Sequence, residues 1–197
     1  MLTGGRSAAR VYMEWAAIEG FIQLTNIRFY FGDERCVPLD HTESNYGLAM
    51  RTLFKNGITS GCMVFPMRAD ASDQAGAALQ YAQSMPSSLD VMLLAVGDDG
   101  HIASLFPGSK ALHELNQRVI SVVGPKPPSN RWTITPPVIA SAKTTFVFAP
   151  GAIKGAVLHR ALLKPEDFDT VPARLVLSGI WLLDTDVQSS GTERVSD

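Results

Sequence analysis

Apolar residues along the chain fall either at intervals of three and four or in short unbroken runs, and the two patterns take turns, which predicts helices alternating with buried strands. Met1 and Leu2 read as the end of a strand entering a turn at Gly4 and Gly5. From Ser7, a candidate N-cap, Val11, Trp15 and Ile18 recur at helical spacing. Residues 27–32 are a β-rich run, after which Ser44 or Asn45 opens a helix that turns Leu48, Leu53 and Phe54 inward and stops at Gly57. A short strand over 63–67 precedes a helix over 72–85, with Ala75, Ala78, Leu79 and Ala82 inward and Pro86 as its terminator. Residues 90–96 are apolar without alternation, as in a strand covered on both faces. Further strands are predicted over 118–124 and 144–149. Between them lie an irregular loop over 125–130 and an alternating stretch from Arg131 that Pro136 and Pro137 break. A helix from Gly151 carries Ile153, Val157, Leu158 and Leu162 as its stripe, and residues 172–184 hold a helical turn and a last strand. This alternation implies an α/β fold in three layers, a mostly parallel sheet with helices on both faces.

Composition sets the bounds. With 197 residues, 46% hydrophobic and 18% charged, the chain suits one α/β domain over residues 1–187, followed by a loose polar tail over 188–197. A formal net charge of -2 gives no reason to expect nucleic acid or an anionic membrane as partner, so any anion must be held by local basic residues. Cys36 and Cys62 form no CxxC pair and suggest neither a disulfide scaffold nor a zinc site. With no segment of membrane-spanning length and no secretion signal at the start, the protein is expected to be cytoplasmic.

The apolar run over 90–96 breaks into Gly97-Asp98-Asp99-Gly100-His101, and in an open parallel sheet ligands sit beyond the carboxyl ends of the strands. His101 has the side chain suited to a general base near neutrality, and Asp99, two residues before it, can fix its tautomer. On spacing alone an ordinary loop with a surface histidine is the commoner reading. Asp33-Glu34-Arg35 also follows a β-rich run, so Arg35 can reach the same crevice and bind a phosphate by two hydrogen bonds; a surface triplet pairing within itself is the alternative. Gly4, Gly5 and Ser7 open a helix and can present free amides to an anion, or form an ordinary tight turn. Lys154 lies in a first helical turn, where a cation opposes the dipole unless an anion binds nearby, with a solvated lysine as the simple alternative. His159 reads as a partly buried packing residue and His113 as solvated. Asp98 and Asp99 lack the other oxygen ligands of a calcium loop, so no metal is expected.

The string GDDGHIASLFPG over 97–108 resembles the signature of the 6-phosphogluconolactonases, in the larger family that includes glucosamine-6-phosphate deaminase and ribose-5-phosphate isomerase. The deaminases continue DGHIA with a phenylalanine-asparagine-glutamate segment, where this chain has Ser104-Leu105-Phe106-Pro107-Gly108. Gly32-Asp33-Glu34-Arg35-Cys36-Val37-Pro38, followed by His41, Ser44, Asn45 and Tyr46, is similar to a second lactonase motif. Weaker likenesses lie at Arg131-Trp132-Thr133-Ile134, Gly151-Ala152-Ile153-Lys154 and the closing Trp181-Leu182-Leu183-Asp184. The chain reads Gly-Gly-Arg-Ser-Ala where the family has Gly-Gly-Ser-Thr-Pro, and starts without the family's first helix and most of its first strand.

The resemblance implies a modified Rossmann-like fold and hydrolysis of 6-phosphoglucono-1,5-lactone to 6-phosphogluconate in the oxidative pentose phosphate pathway. It makes His101 the base and Asp99 its orienting partner. Arg35, Arg131 and Lys154 would neutralise the phosphate, with Gly4, Gly5, Ser7 and Asp33 completing the substrate site. Backbone amides over 100–102 are the expected oxyanion donors. No cofactor is implied; the partner is a small-molecule sugar-phosphate lactone, and the chain is expected to be a monomer or weak homo-oligomer. A sugar-phosphate isomerase or deaminase on the same fold, or a non-catalytic sugar-phosphate binding module, are the alternatives.

Overall fold

The computed structural model describes residues 1–163 and 167–184. Its first half runs α1 (Gly5–Ala17), β1 (Arg28–Phe29), β2 (Asp33–Arg35), α2 (Asn45–Thr52), β3 (Met63–Val64), α3 (Gln74–Ser84) and β4 (Val91–Ala95). Then follow β5 (Val119–Val123), β6 (Asn130–Ile134), α4 (Pro136–Ala140), β7 (Thr144–Phe148), α5 (Ala152–Leu163) and β8 (Ile180–Leu182). The tail expected over 188–197 lies outside the described residues.

Parallel ladders join β1 to β3 and β4 to β7 to β8. Met1 to Thr3 connect the two groups. Leu2 N donates to Tyr30 O (2.6 Å) and Gly32 N to Leu2 O (3.0 Å), while Leu93 N donates to Met1 O (2.9 Å) on the other side. The strand end read at Met1 and Leu2 therefore sits in mid-sheet, and the parallel layer runs from β3 to β8.

Alternation along these strands fills both faces, as period-two geometry requires. Phe29, Phe31, Leu93 and Phe148 pack with Ala8 and Tyr12 of α1 and with Ala49, Leu53 and Phe54 in and after α2. Tyr30, Met92, Leu94, Val96 and Val147 face the other way, against Tyr81 of α3, Ile139 of α4 and Val157 of α5. Burying one such side chain is worth about 1.5–3 kcal/mol.

The second face also receives an antiparallel sheet, ordered β2-β6-β5, whose Trp132 and Ile134 enter the same core. The polar–apolar alternation from Arg131 does not mark a solvent face: Arg131 and Thr133 are buried as well, on the side opposite the core-facing Trp132 and Ile134.

Three local expectations are corrected. The N-cap of α1 is Gly4, not Ser7, and no side chain caps the helix. On α3, Tyr81 is the buried residue while Ala75 and Leu79 are exposed, because the Tyr81 hydroxyl donates to Phe31 O and accepts from Phe31 N across the sheet. On α5 Val157 and Ala161 are buried, whereas Ile153, Leu162 and His159 face solvent.

Candidate active site

Beyond Ala95 the chain closes a tight loop in which Gly97 N donates to His101 O (2.8 Å) and Gly100 N to Gly97 O (3.0 Å). Gly100 has φ 91 and meets the Val171 side chain, and Ala173 N donates to its carbonyl (2.9 Å), so the loop is braced from behind. The His101 ring lies over Gly97, where a Cβ would overlap it. Phe106 supports the ring, with centroids 4.8 Å apart.

Asp99 Oδ1 accepts from His101 N (3.1 Å) and meets His101 Nδ1 at 2.5 Å. Burial works to raise the Asp99 carboxyl, but the hydrogen bonds and charge of His101 outweigh it and hold the group down at about 2. Asp99 is thus a carboxylate throughout the neutral range and favours the tautomer with hydrogen on Nδ1, which leaves Nε2 as the basic nitrogen. Of the amides expected over 100–102 as oxyanion donors, those of Gly100 and His101 already donate within the loop.

The second charged cluster divides its labour instead of pairing within itself. Glu34, fully buried, accepts from Ser44 Oγ, Asn45 N, Tyr46 N and Arg35 N, and so ties β2 to the start of α2. Burial pushes its carboxyl above the usual range against the pull of those amides. Asp33 is buried too: its two oxygens accept from Asn45 Nδ2 (3.0 Å) and Ser104 Oγ (2.7 Å).

Arg35 stands directly opposite Arg131 in the β2–β6 ladder, so two guanidinium groups project from one face. Arg131 donates to Pro128 O (3.0 Å) and Lys126 O (3.2 Å) and lies 5.5 Å from the Phe106 ring centroid. Burial, and then the charge of Arg35, lower its pKa. Arg35 Nη1 donates to Glu43 O (2.7 Å), while its buried Nε has no partner among the described residues.

The third wall comes from two helix starts. Lys154 Nζ, in the first turn of α5, lies 3.4 Å from Ser7 Oγ in the first turn of α1. Burial lowers the Lys154 pKa; Asp98 opposes this and Arg6 adds to it.

These walls enclose a cavity of about 150 Å³. Gly4, Gly5, Ser7 and Asp33 line it, as do Arg35, His101, Arg131 and Lys154, with Asp99 behind His101. The structure thus brings together the residues assigned to the site from the sequence, while His113 and His159 stay outside it. It adds Arg6 and Asn45 to the lining and Ser104 as the buried partner of Asp33. Asn45 lies within the second motif and Ser104 within the first, though neither motif showed that Ser104 reaches Asp33; nothing local marks Arg6 as a lining residue. Among the described residues no three His, Cys, Asp or Glu side chains gather as a metal site. His113 is paired with Asp169 at 2.7 Å, away from the cavity.

Residues 1–182 match the family model described as glucosamine-6-phosphate isomerases/6-phosphogluconolactonase. The 6-phosphogluconolactonase 3 of Saccharomyces cerevisiae (strain YJM789) is 36% identical over 171 residues, covering 80% of this chain and 69% of the relative. The 6-phosphogluconolactonase of Mycobacterium tuberculosis (strain ATCC 25618 / H37Rv) is 34% identical over 203 residues, covering 94% of this chain and 82% of the relative. Among solved structures, 6-phosphogluconolactonase from Trypanosoma cruzi superposes with a TM-score of 0.78 at 28% identity, covering 97% of this chain and 83% of that one. A monomeric glucosamine-6-phosphate deaminase shares the fold, with a TM-score of 0.79 at 19% identity over 96% of this chain and 86% of that one.

Proposed function

The chain belongs to the glucosamine-6-phosphate isomerase/6-phosphogluconolactonase family, and on that footing we propose that it hydrolyses 6-phosphogluconolactone to 6-phosphogluconate, the lactone-opening step of the pentose phosphate pathway. The observation that carries the reading is one small cavity with a carboxylate-held imidazole on one wall and Arg35, Arg131 and Lys154 on the others.

The residues divide the reaction as their chemistry dictates. Arg35, Arg131 and Lys154 neutralise the substrate phosphate, and the free Arg35 Nε supplies a donor for one of its oxygens. Gly4, Gly5 and Ser7 offer first-turn amides and a hydroxyl to the same sugar phosphate. Asp33, held by Asn45 and Ser104, presents a carboxylate edge to the sugar. With the phosphate fixed, a water lies between the lactone carbonyl carbon and His101 Nε2. His101 takes its proton as the new C–O bond forms; the tetrahedral oxyanion then collapses, the ring C–O bond breaks, and His101 returns the proton to the departing ring oxygen. Asp99 keeps the imidazole oriented and stabilises its charged form between the two transfers. The lactone is a 1,5-lactone on this reading, and the enzyme a cytoplasmic monomer or weak homo-oligomer.

The test is hydrolysis of freshly generated 6-phosphoglucono-1,5-lactone with chelator present and the spontaneous rate subtracted. Acceleration that disappears in His101→Ala is the expected result. An unaltered rate in that variant removes His101 as the base. A folded wild-type chain that gives no acceleration, yet releases fructose 6-phosphate from glucosamine 6-phosphate, transfers the chain to the isomerase branch.

A further inference from the structure

Arg6 is a charged residue in an unfavourable place. It occupies the first turn of α1, where the aligned peptide dipoles already concentrate positive charge, and no acidic residue shares that turn. Lys154 repeats the arrangement in the first turn of α5, again without an acidic neighbour in the turn. The Lys154–Ser7 contact of 3.4 Å joins the two helix starts, and Arg6 is near enough to help lower the Lys154 pKa. Two helix N-termini and two cations therefore converge on one side of the cavity, both side chains lining it. Arg6 makes no hydrogen bond or ion pair with any other described residue that would explain its position. Asp98 opposes the shift at Lys154 from the exposed side of the loop. A positive pole of this kind is relieved by a multiply charged anion.

We propose that Arg6 is a phosphate-binding residue that sets the preference for the dianionic sugar phosphate, completing with Lys154, Arg35 and Arg131 a ring of four cations around the cavity. The proposal rests on the lactonase reading for its substrate, but its anion chemistry is measurable without turnover. Four cations line the cavity; the buried carboxylate of Asp33 and, from the rim, Glu43 at 3.3 Å from Arg35 offset part of that charge, and the remaining excess favours a phosphate carrying two charges over one carrying one. Phosphate monoesters lose their second proton near pH ~6, so affinity supplied by Arg6 strengthens as pH rises through that value.

The test compares wild type, Arg6→Ala and the charge-matched control Arg10→Ala, which changes an exposed arginine one turn further along α1 and outside the cavity. Two quantities are read: KM for the lactone, and the rise in melting temperature caused by inorganic phosphate. Arg6→Ala should raise KM about tenfold, the scale of one charge-assisted hydrogen bond, with a smaller change in kcat, and should reduce the phosphate-induced rise in melting temperature. Its melting temperature without phosphate should equal or exceed that of wild type, because a repulsive charge has gone. Arg10→Ala should shift neither readout. The proposal is overturned if Arg6→Ala keeps KM and the phosphate response within twofold of wild type, if it lowers kcat alone, or if phosphate does not stabilise the wild type. A wild type that fails to open the lactone but shows Arg6-dependent stabilisation by phosphate refutes the catalytic reading and leaves this one standing.

Discussion

Replacing Gly97 by alanine should disable catalysis while leaving the fold and the phosphate site intact. The Cβ built at Gly97 falls inside the His101 imidazole, well short of contact distance from Cε1 and Nδ1, and 2.8 Å from Asp99 Oδ1. Carbon contacts are comfortable only at about 3.5–4.0 Å, so the ring must retreat by more than ~1 Å or rotate away from Asp99. A misplacement of about 1 Å in a reacting group is enough to lower the rate about 100-fold, and loss of the Asp99 contact adds to it. Stability should change little, because Gly97 is not among the glycines with positive φ and the clash is with a side chain that can turn away. The assay is steady-state lactone hydrolysis beside thermal melting and inhibition by inorganic phosphate. A fall in kcat of about 100-fold, with melting temperature and phosphate inhibition near wild type, is the expected triad of results. A kcat within threefold of wild type would show that the imidazole need not sit where the structure puts it, and would refute the reasoning.

Asp99→Asn should lower kcat by about 100-fold or more at neutral pH, since the amide no longer selects the Nδ1–H tautomer. Because the Asp99 carboxyl is depressed to about 2, its contact with His101 supports the fold above the unfolded value of about 3.9 and is lost as pH falls through 2. The pair is solvent-accessible, so this support is about 1 kcal/mol or less, and acid unfolding curves of wild type and Asp99→Asn should converge near pH 2. Arg35→Ala should raise KM about tenfold or more with a smaller effect on kcat, and the KM of wild type should rise with salt; salt-independent binding would contradict an ionic anchor. Glu34→Ala strands three backbone amides and the Ser44 hydroxyl, and should cost about 2–4 kcal/mol in urea unfolding, whereas a loss below 1 kcal/mol would show that Glu34 does not hold β2 to α2.

Local pattern carried the strands that end at the site, because a buried parallel strand followed by glycine and charge is a short-range signal: β4 with His101 and Asp99 is the clearest case. What it could not carry is distance. Arg35 and Arg131 lie opposite each other only because β2 and β6 pair antiparallel, and nothing in either segment announces a partner nearly a hundred residues away. Ser104 is likewise read as part of a loop until Asp33 is found 2.7 Å from its hydroxyl. On α3 helical periodicity held for Ala78 and Ala82, which pack against the core, and missed for Ala75 and Leu79, since alanines give a weak stripe and the face was chosen by one long-range pair of hydrogen bonds from Tyr81 to Phe31. The N-cap of α1 failed because Gly4 approaches Asn45 so closely that no side chain fits there.

The same distant pairings explain why the site is assembled against local preference. Two arginines face each other across a ladder, and two further cations sit at helix starts, each an arrangement that is unfavourable by up to about 1 kcal/mol when nothing negative intervenes. The core on both faces of the sheet and the buried carboxylates of Asp33 and Glu34 hold these charges in place. An anion bound at about 100 times its dissociation constant returns about 2.7 kcal/mol, the same scale as those local penalties together. The chain should therefore be measurably more stable with a phosphate ester bound than without one, and the charges that make the empty cavity unfavourable are the ones that give the bound substrate its affinity.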